Sequence, residues 1–348
     1  MAIKSKELAS MLGVSTATVS LVLNHKPGIS DELRKTLLER IREMGYGYMI
    51  KEDSEREEDH SSFAKAIAYV VLSEYRDDLD EASFFPTVIE GAEREARYLG
   101  YHFSIVHMYG ENRDLKETIT RSQYAGMIVY ADVIEERLKR ELDATQVPYI
   151  LIDCFEPSIE ASAVTVNNRQ GVYTAVRYLY EKGHRRIGYV GSGRRHCSLG
   201  ERRQCFRYAL EDLGMREEPG MYIETGCTGQ RAQEYLERLW KGGVHPPSAL
   251  LVENDVLAIP VYRALKNSGY RIPEDVSVIG FDGRSVCSML EPTLTTMRIP
   301  RRMLGRTLVT LLADKINRKE RSMEDVTMRV EINAELVEME SVCPAEKG

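Results

Sequence analysis

The run Gly13-Val14-Ser15-Thr16-Ala17-Thr18-Val19-Ser20-Leu21-Val22-Leu23-Asn24 decides how this chain is read. It follows a short amphipathic segment, Glu7-Leu8-Ala9-Ser10-Met11-Leu12. Gly13 can take the left-handed conformation that ends a helix. Ser15 can cap a second helix by accepting from its unpaired N–H groups. Val19, Val22 and Leu23 recur at three- and four-residue spacing, so they share a buried face, while Thr16, Ala17, Ser20 and Leu21 point elsewhere. Helix, glycine turn and capped helix with small polar residues at its start is the sequence form of a helix-turn-helix. The second helix of that motif enters the major groove of DNA.

A third helix follows. His25-Lys26-Pro27-Gly28 is a turn signal. Ser30 then stands before Asp31 and Glu32, a cap followed by acids that suit the helix dipole. Leu33, Leu37, Leu38, Ile41 and Met44 make its apolar stripe, and Gly45 stops it. Residues 1–50 hold seven Lys/Arg against five Asp/Glu, whereas residues 51–60 hold two against six. A slightly basic head on a chain of net charge −7 fits local contact with DNA through one small domain rather than coating of nucleic acid.

With 348 residues the chain is too long for one ordinary core. No apolar run approaches the roughly 20 residues that span a bilayer, and the N-terminus has no signal-peptide core, so a cytoplasmic protein without membrane contact is expected. The six cysteines, Cys154, Cys197, Cys205, Cys227, Cys287 and Cys343, are scattered without C-x-x-C spacing and read as reduced thiols. The seven histidines form no metal-spaced cluster, so neither metal nor cofactor is expected.

Beyond about residue 65 strand-length apolar runs alternate with helical patterns. The runs are 66–72, 103–106, 127–130 and 149–152, then 187–190, 222–223, 249–252 and 276–281. Helical patterns of the second half lie near 170–183, 202–213, 230–240 and 256–268. Two β-α halves predict two lobes with parallel sheets and a cleft where ligands bind beyond the carboxyl ends of the strands.

Residues 1–48 resemble the headpiece of the lactose-repressor (LacI/GalR) family of bacterial transcription regulators. Leu8-Ala9, Gly13-Val14-Ser15, Thr18-Val19-Ser20, Leu23-Asn24, Ile29-Ser30, Arg34 and Met44-Gly45-Tyr46 carry the likeness. The resemblance places Thr16, Ala17 and Leu21 at base-reading positions and Ser5, Ser15, Thr18, Ser20, Asn24 and Ser30 near phosphates. Any one of these hydroxyls could equally be a cap. Leu21 departs from the family's frequent Arg, so apolar contact, for example to a thymine methyl, replaces a two-bond contact to guanine.

The body resembles the family's regulatory domain, itself similar to periplasmic sugar-binding proteins. The phrases are Val147-Pro148…Ile152-Asp153, 164–168, 183–191, Arg202…Phe206…Leu210, Asn254-Asp255, 273–282 and Pro292…Leu294-Thr295-Thr296. The fold implied is a small all-α helix-turn-helix head followed by a two-lobed α/β, periplasmic-binding-protein-like domain. The expected divisions are a head at 1–49, an acidic linker at 50–64 and a body at 65–342. Lobe 1 takes about 65–163 and 293–324, and lobe 2 about 164–292 and 325–342. The family's hinge motif is missing from the linker, whose acids would be repelled by a groove. A disordered tether is therefore expected, with Met49 or Ile50 as the alternative minor-groove wedge.

By position the resemblance assigns effector contacts to Arg202, Asn254 and Asp282, residue types that suit a polyhydroxylated ligand. Asp153 ends a strand at the same edge. Phe84 and Phe85 could stack on a sugar face or simply pack. Asn254 could instead cap a helix. Gly283 replaces a frequent second Asp. Gly191-Ser192-Gly193 lacks the third glycine of a dinucleotide loop, and His184 reads as structural. The tail has no leucine heptads, so a homodimer on a palindromic operator is expected, without a tetramerising coiled coil.

These readings converge on a ligand-controlled DNA-binding regulator, most simply a repressor answering to a carbohydrate. Alternatives are a regulator answering to a purine or protein corepressor, or a transporter's solute-binding protein. No nucleophile, metal or phosphate-loop constellation argues for an enzyme.

Overall fold

The apolar spacing at 19, 22 and 23 closes a small core in the head. In the computed structural model, which describes residues 5–23, 28–44, 66–73, 85–109, 115–216, 218, 220–226 and 228–345, the head has three helices. These are α1 (Ser5–Leu12), α2 (Thr16–Leu23) and α3 (Asp31–Glu43). Leu8, Leu12, Val19, Val22, Leu23, Leu37 and Ile41 form their common core. Gly13 has φ +71°, the left-handed turn that the sequence required. Leu33, expected in the apolar stripe, is instead exposed, because the stripe of α3 needs only Leu37 and Ile41 with flanking Leu38 and Met44 to cover α1 and α2. Asn24, Phe84, Cys227 and the linker 50–64 with its possible wedge at Met49 or Ile50 lie outside the described residues.

The chain divides into two units, 1–63 and 64–348. The second unit holds two six-stranded sheets. Lobe 1 is built on β1 (Ala66–Ser73), β2 (His102–Tyr109), β3 (Gly126–Ala131), β4 (Tyr149–Ile152), β5 (Ala163–Val166) and β11 (Arg329–Ile332). Their order is β11-β5-β4-β3-β1-β2, every pairing parallel. Lobe 2 is built on β6 (Ile187–Gly191), β7 (Tyr222–Glu224), β8 (Ala249–Val252), β9 (Ser277–Asp282), β10 (Thr295–Arg298) and β12 (Glu335–Val337). Their order is β12-β10-β9-β8-β6-β7, with only β12 antiparallel. Central strands such as β3, β4, β8 and β9 are buried throughout, as parallel strands covered on both faces must be.

Helices α4 (Phe85–Tyr98), α5 (Leu115–Arg121), α6 (Glu136–Asp143) and α11 (Arg301–Glu320) belong to lobe 1. Helices α7 (Asn168–Glu181), α8 (Cys197–Asp212), α9 (Gly229–Lys241) and α10 (Asp255–Asn267) belong to lobe 2. The polypeptide passes between the sheets three times. β5 still pairs with β4 and β11, so the first passage follows Val166 rather than residue 164. β10 pairs within lobe 2, which moves the second passage from about 292 to 299–300. β11 lies in lobe 1 and β12 in lobe 2, which moves the third from about 324–325 to 333–334. Such boundaries depend on which sheet a strand joins, and a strand's own composition does not state that.

The cysteine reading needs correction. Cys154 and Cys197 are joined as a disulfide across 43 residues, whereas Cys205, Cys287 and Cys343 are free. Spacing gave no sign of the pair because the two residues meet only where the lobes face each other.

Candidate functional site

On the head, Thr16, Ala17 and Ser20 lie exposed on one side of α2, opposite buried Val19, Val22 and Leu23. Leu21 is half-buried and its carbonyl accepts from the Arg34 guanidinium at 3.0 Å. The Ser15 Oγ accepts from the Thr18 N–H at 3.0 Å and lies 2.8 Å from the Thr18 hydroxyl. The Ser30 Oγ accepts from the Leu33 N–H at 3.3 Å. Both serines therefore cap helices, as their position before a first turn allows. Ser5 opens α1.

The second site lies between the lobes, at the carboxyl ends of the parallel strands of both sheets. Tyr130 is the penultimate residue of β3, Asp153 and Cys154 follow β4, Glu253 and Asn254 follow β8, and Asp282 ends β9. The cleft is lined by Phe85, Tyr130, Asp153, Arg194, His196, Ser198, Arg202, Glu253, Asn254, Asp282 and Arg284 among others, and offers about 120 Å³. Five of the six expected cleft residues thus meet at one place. The sixth, Phe84, lies outside the described residues.

Arg202 is the hub. Its guanidinium donates to the Asn168 side-chain oxygen at 2.9 Å, to the Glu253 carbonyl at 2.7 Å and to Asp282 at 3.2 Å. Its plane lies 3.9 Å from the Phe281 ring centroid, the stacked and forked geometry that favours Arg over Lys. Asp282 accepts on its other oxygen from Arg284 at 3.1 Å. The backbone N–H of Arg284 donates to Asp255 at 2.7 Å, and the Thr296 hydroxyl donates to the same carboxylate at 2.6 Å. Both cleft acids have left-handed backbones, Asp153 at φ 55° and Asp282 at φ 107°. Such strain on non-glycine residues concentrates at functional sites. Asn254 both lines the cleft and caps α10 by accepting from the Leu257 N–H at 2.8 Å, so its two readings are compatible. Phe85 likewise packs and lines, with its ring 4.4 Å from that of Tyr130. Gly283 has φ +71°, and a Cβ there would lie 2.7 Å from the Arg298 Cα, which explains why the second Asp is replaced.

Several lining residues escaped the sequence reading. Asn168 donates to the Ser198 hydroxyl at 3.2 Å, which donates to Asp153 at 2.7 Å. Glu253 is 3% exposed, and its Oε1 has no protein partner. The strand-end rule would have found Glu253, which directly follows the run at 249–252. His196 and Ser198 carried no such signal, because α8 begins five residues before the predicted apolar pattern. His184 proves structural: it lies within 3.0 Å of the Ser248 hydroxyl and 3.1 Å of the Cys343 carbonyl. Among the described residues no group of three or more His, Cys, Asp or Glu could hold a metal ion, and no helix is long and apolar enough to cross a membrane.

Burial sets the protonation of the cleft. It pushes the Asp153 carboxyl up to about 6, against the opposing pull of Arg202 and Ser198. Burial raises Glu253 also, and pushes His196 down to about 4, leaving a neutral imidazole at neutral pH. A raised carboxyl means that folding favours the bound proton. The associated stability is complete below the ordinary carboxylate value and is lost as pH rises through about 6. Asp153→Asn has no proton to lose. Relative to wild type it should therefore gain about 3 kcal/mol between pH 4 and pH 7, at about 1.36 kcal/mol for each tenfold change in proton affinity. Urea unfolding of both proteins across this range checks it, and an unchanging difference would show that Asp153 titrates normally.

A helix-turn-helix head and a two-lobed, cleft-bearing body define a DNA-binding protein with a built-in ligand-binding domain. Residues 5–47 match the family described as bacterial regulatory proteins, lacI family, and residues 176–342 match the periplasmic binding protein-like domain. The head is thus a lacI-family helix-turn-helix domain, joined to a periplasmic-binding-protein-like domain. The chain is 29% identical over 323 residues to the HTH-type transcriptional repressor CytR of Escherichia coli K12, covering 89% of each chain. It is 25% identical over 331 residues to the repressor PurR of Aliivibrio salmonicida, covering 94% of this chain and 96% of that one. Two solved structures share the fold over their whole length. The transcriptional regulator CelR–cellobiose complex superposes with TM-score 0.70 at 23% identity, over 98% of this chain. The lac repressor dimer bound to operator and an anti-inducer gives 0.68 at 20% identity, over 99%. The protein is thus a DNA-binding transcription regulator with a ligand-binding domain.

Proposed function

We propose that this regulator is a cytoplasmic, homodimeric repressor whose operator affinity is set by a carbohydrate bound between the lobes. The observation that carries the reading is the cleft floor itself. Carboxylates, amides and guanidinium groups from both lobes converge at strand ends beside the Phe85 and Tyr130 rings, the mixture that recognises a hydroxylated ring. Solved relatives of the same fold are described with cellobiose and with ribose. Asp153, Arg202, Asn254, Asp282 and Phe85 are the proposed effector contacts, with Phe84 beside them in sequence. A ligand that binds one arrangement of the lobes better than another shifts their equilibrium and with it DNA binding. Because DNA is its target, the protein works in the cytoplasm.

On the head, Thr16, Ala17 and Leu21 are proposed to read bases, and Ser5, Ser15, Thr18, Ser20, Asn24 and Ser30 to lie at phosphates. Ser15 and Ser30 would do so while capping, since a hydroxyl has two acceptor sites and one donor.

The test is selection of bound sequences from a random DNA pool by the full-length protein at fixed moderate salt, repeated with a panel of sugars. A palindrome whose recovery changes with one sugar supports the reading, and failure to enrich any sequence overturns it. Leu21→Arg should shift the preferred base at one symmetric position to guanine, with roughly 1–3 kcal/mol of discrimination. An unchanged preference would remove Leu21 from the base-reading set.

A further inference from the structure

The cleft is held shut along one seam. Cys197, the first residue of α8 in lobe 2, donates its backbone N–H to the Asp132 carbonyl of lobe 1 at 3.0 Å. Its neighbour Ser198 donates across to Asp153 at 2.7 Å. On the other side His196 meets the Tyr130 hydroxyl at 3.2 Å. The His196 Nδ1 accepts from the Ser198 N–H, so the neutral ring carries its proton on Nε2 and donates to Tyr130. Covalent closure lies in the same seam. Cys154, the residue after Asp153 in lobe 1, is bonded to Cys197 with their Cα atoms 5.1 Å apart. The cleft's space of about 120 Å³ falls well short of the roughly 300–1,000 Å³ of ordinary ligand pockets. A sugar therefore fits only when this seam parts, and parting it separates the two sulfurs.

We propose that Cys154 and Cys197 are a redox modification site. Oxidation by a hydroperoxide locks the lobes together and makes the cleft blind to its effector. The proposal rests on the reading that lobe movement carries the effector signal.

In a reducing compartment small thiols keep both cysteines reduced, and a disulfide there is transient. Cys154 is 1% exposed whereas Cys197 is partly exposed. Cys197 also opens a 16-residue helix, whose N-terminus favours a thiolate. Cys197 is therefore the attacking sulfur. Its thiolate takes one peroxide oxygen, the O–O bond breaks, and the departing hydroxide gains a proton to leave as water. The Cys154 thiolate then displaces hydroxide from the resulting sulfenic acid, forming the S–S bond and a second water. Two thiols and one hydrogen peroxide thus give one disulfide and two waters. Return to the reduced state consumes two equivalents of a small thiol, which leave as its disulfide.

The test uses the full-length protein, first fully reduced, then treated with hydrogen peroxide and mapped by differential alkylation. A Cys154–Cys197 cross-linked peptide is expected, removable by millimolar glutathione. Hydrogen exchange at 130–132 and 196–199 should slow by at least about tenfold on oxidation, because the cross-link suppresses opening. Any sugar that shifts the melting temperature of the reduced protein should no longer do so after oxidation, while Cys154→Ser should keep its response through the same treatment. Three results would overturn the proposal: no cross-linked peptide at peroxide levels that oxidise the remaining cysteines, a cross-link that survives glutathione as a permanent staple, or a cross-link that leaves hydrogen exchange unchanged. None of these readouts involves DNA, so they stand apart from the operator selection that tests the regulator reading.

Discussion

Arg202→Met is expected to cost the regulatory domain about 3–5 kcal/mol, the range for breaking one side of a buried ion pair. The guanidinium donates to three buried acceptors at once: the Asn168 side chain, the Glu253 carbonyl and one oxygen of Asp282. Both Arg202 and Asp282 are under 6% exposed, so water cannot replace the lost bonds without opening the cleft. Asp282 would retain its pairing with Arg284. Arg202→Lys should recover only part of the loss, since an ammonium cannot reproduce the fork or the stacking on Phe281. Urea denaturation at neutral pH reads the stability, and the sugar panel reads the second consequence, loss of any ligand-induced rise in melting temperature. A cost under about 1 kcal/mol, the scale of an exposed pair, would mean that the cluster is solvated and contributes little.

The second large effect is expected far from the cleft, where α4 and α11 cross through two glycines. A Cβ at Gly305 would lie 2.0 Å from the Val88 carbonyl oxygen, and one at Gly91 would lie 2.3 Å from the Arg302 carbonyl oxygen. Both obstacles are backbone of the facing helix, so no side chain can turn aside. Gly→Ala inside a helix ordinarily stabilises by roughly 0.5–1 kcal/mol. Here the sign should invert, with Gly305→Ala costing about 2–3 kcal/mol as overpacking forces the helices apart. Gly91→Ala should act alike, and the double variant should cost less than the two summed, because helices already separated have room for the second methyl. Additive losses would mean that each glycine meets an independent obstacle. The crossing matters for function because α11 carries the chain out of lobe 2, at 299–300, and covers the sheet that presents Tyr130 and Asp153.

The sequence by itself determined the head. Gly13 at a forced left-handed turn, serines before two helices and apolar residues at three- and four-residue spacing leave little freedom in under 50 residues, and α1–α3 fall where that pattern puts them. It also determined the alternation of strands and helices, because a strand buried on both faces must be a continuous apolar run. It placed Asp153 at the cleft edge, because a polar residue directly after such a run stands at a strand's carboxyl end, whereas Arg202, Asn254 and Asp282 were legible only through the resemblance to a known family. Only the tertiary structure decided which strand joins which sheet, and so where the chain passes between lobes. β5 and β11 look no different from strands of the other lobe, and their membership is a matter of pairing across more than 160 residues. It alone brought Arg202 under Asp282, set Ser198 on Asp153 and joined Cys154 to Cys197. Those contacts link residues that share no periodicity, and they arise because two lobes close on each other, an event to which local propensity and spacing contribute nothing.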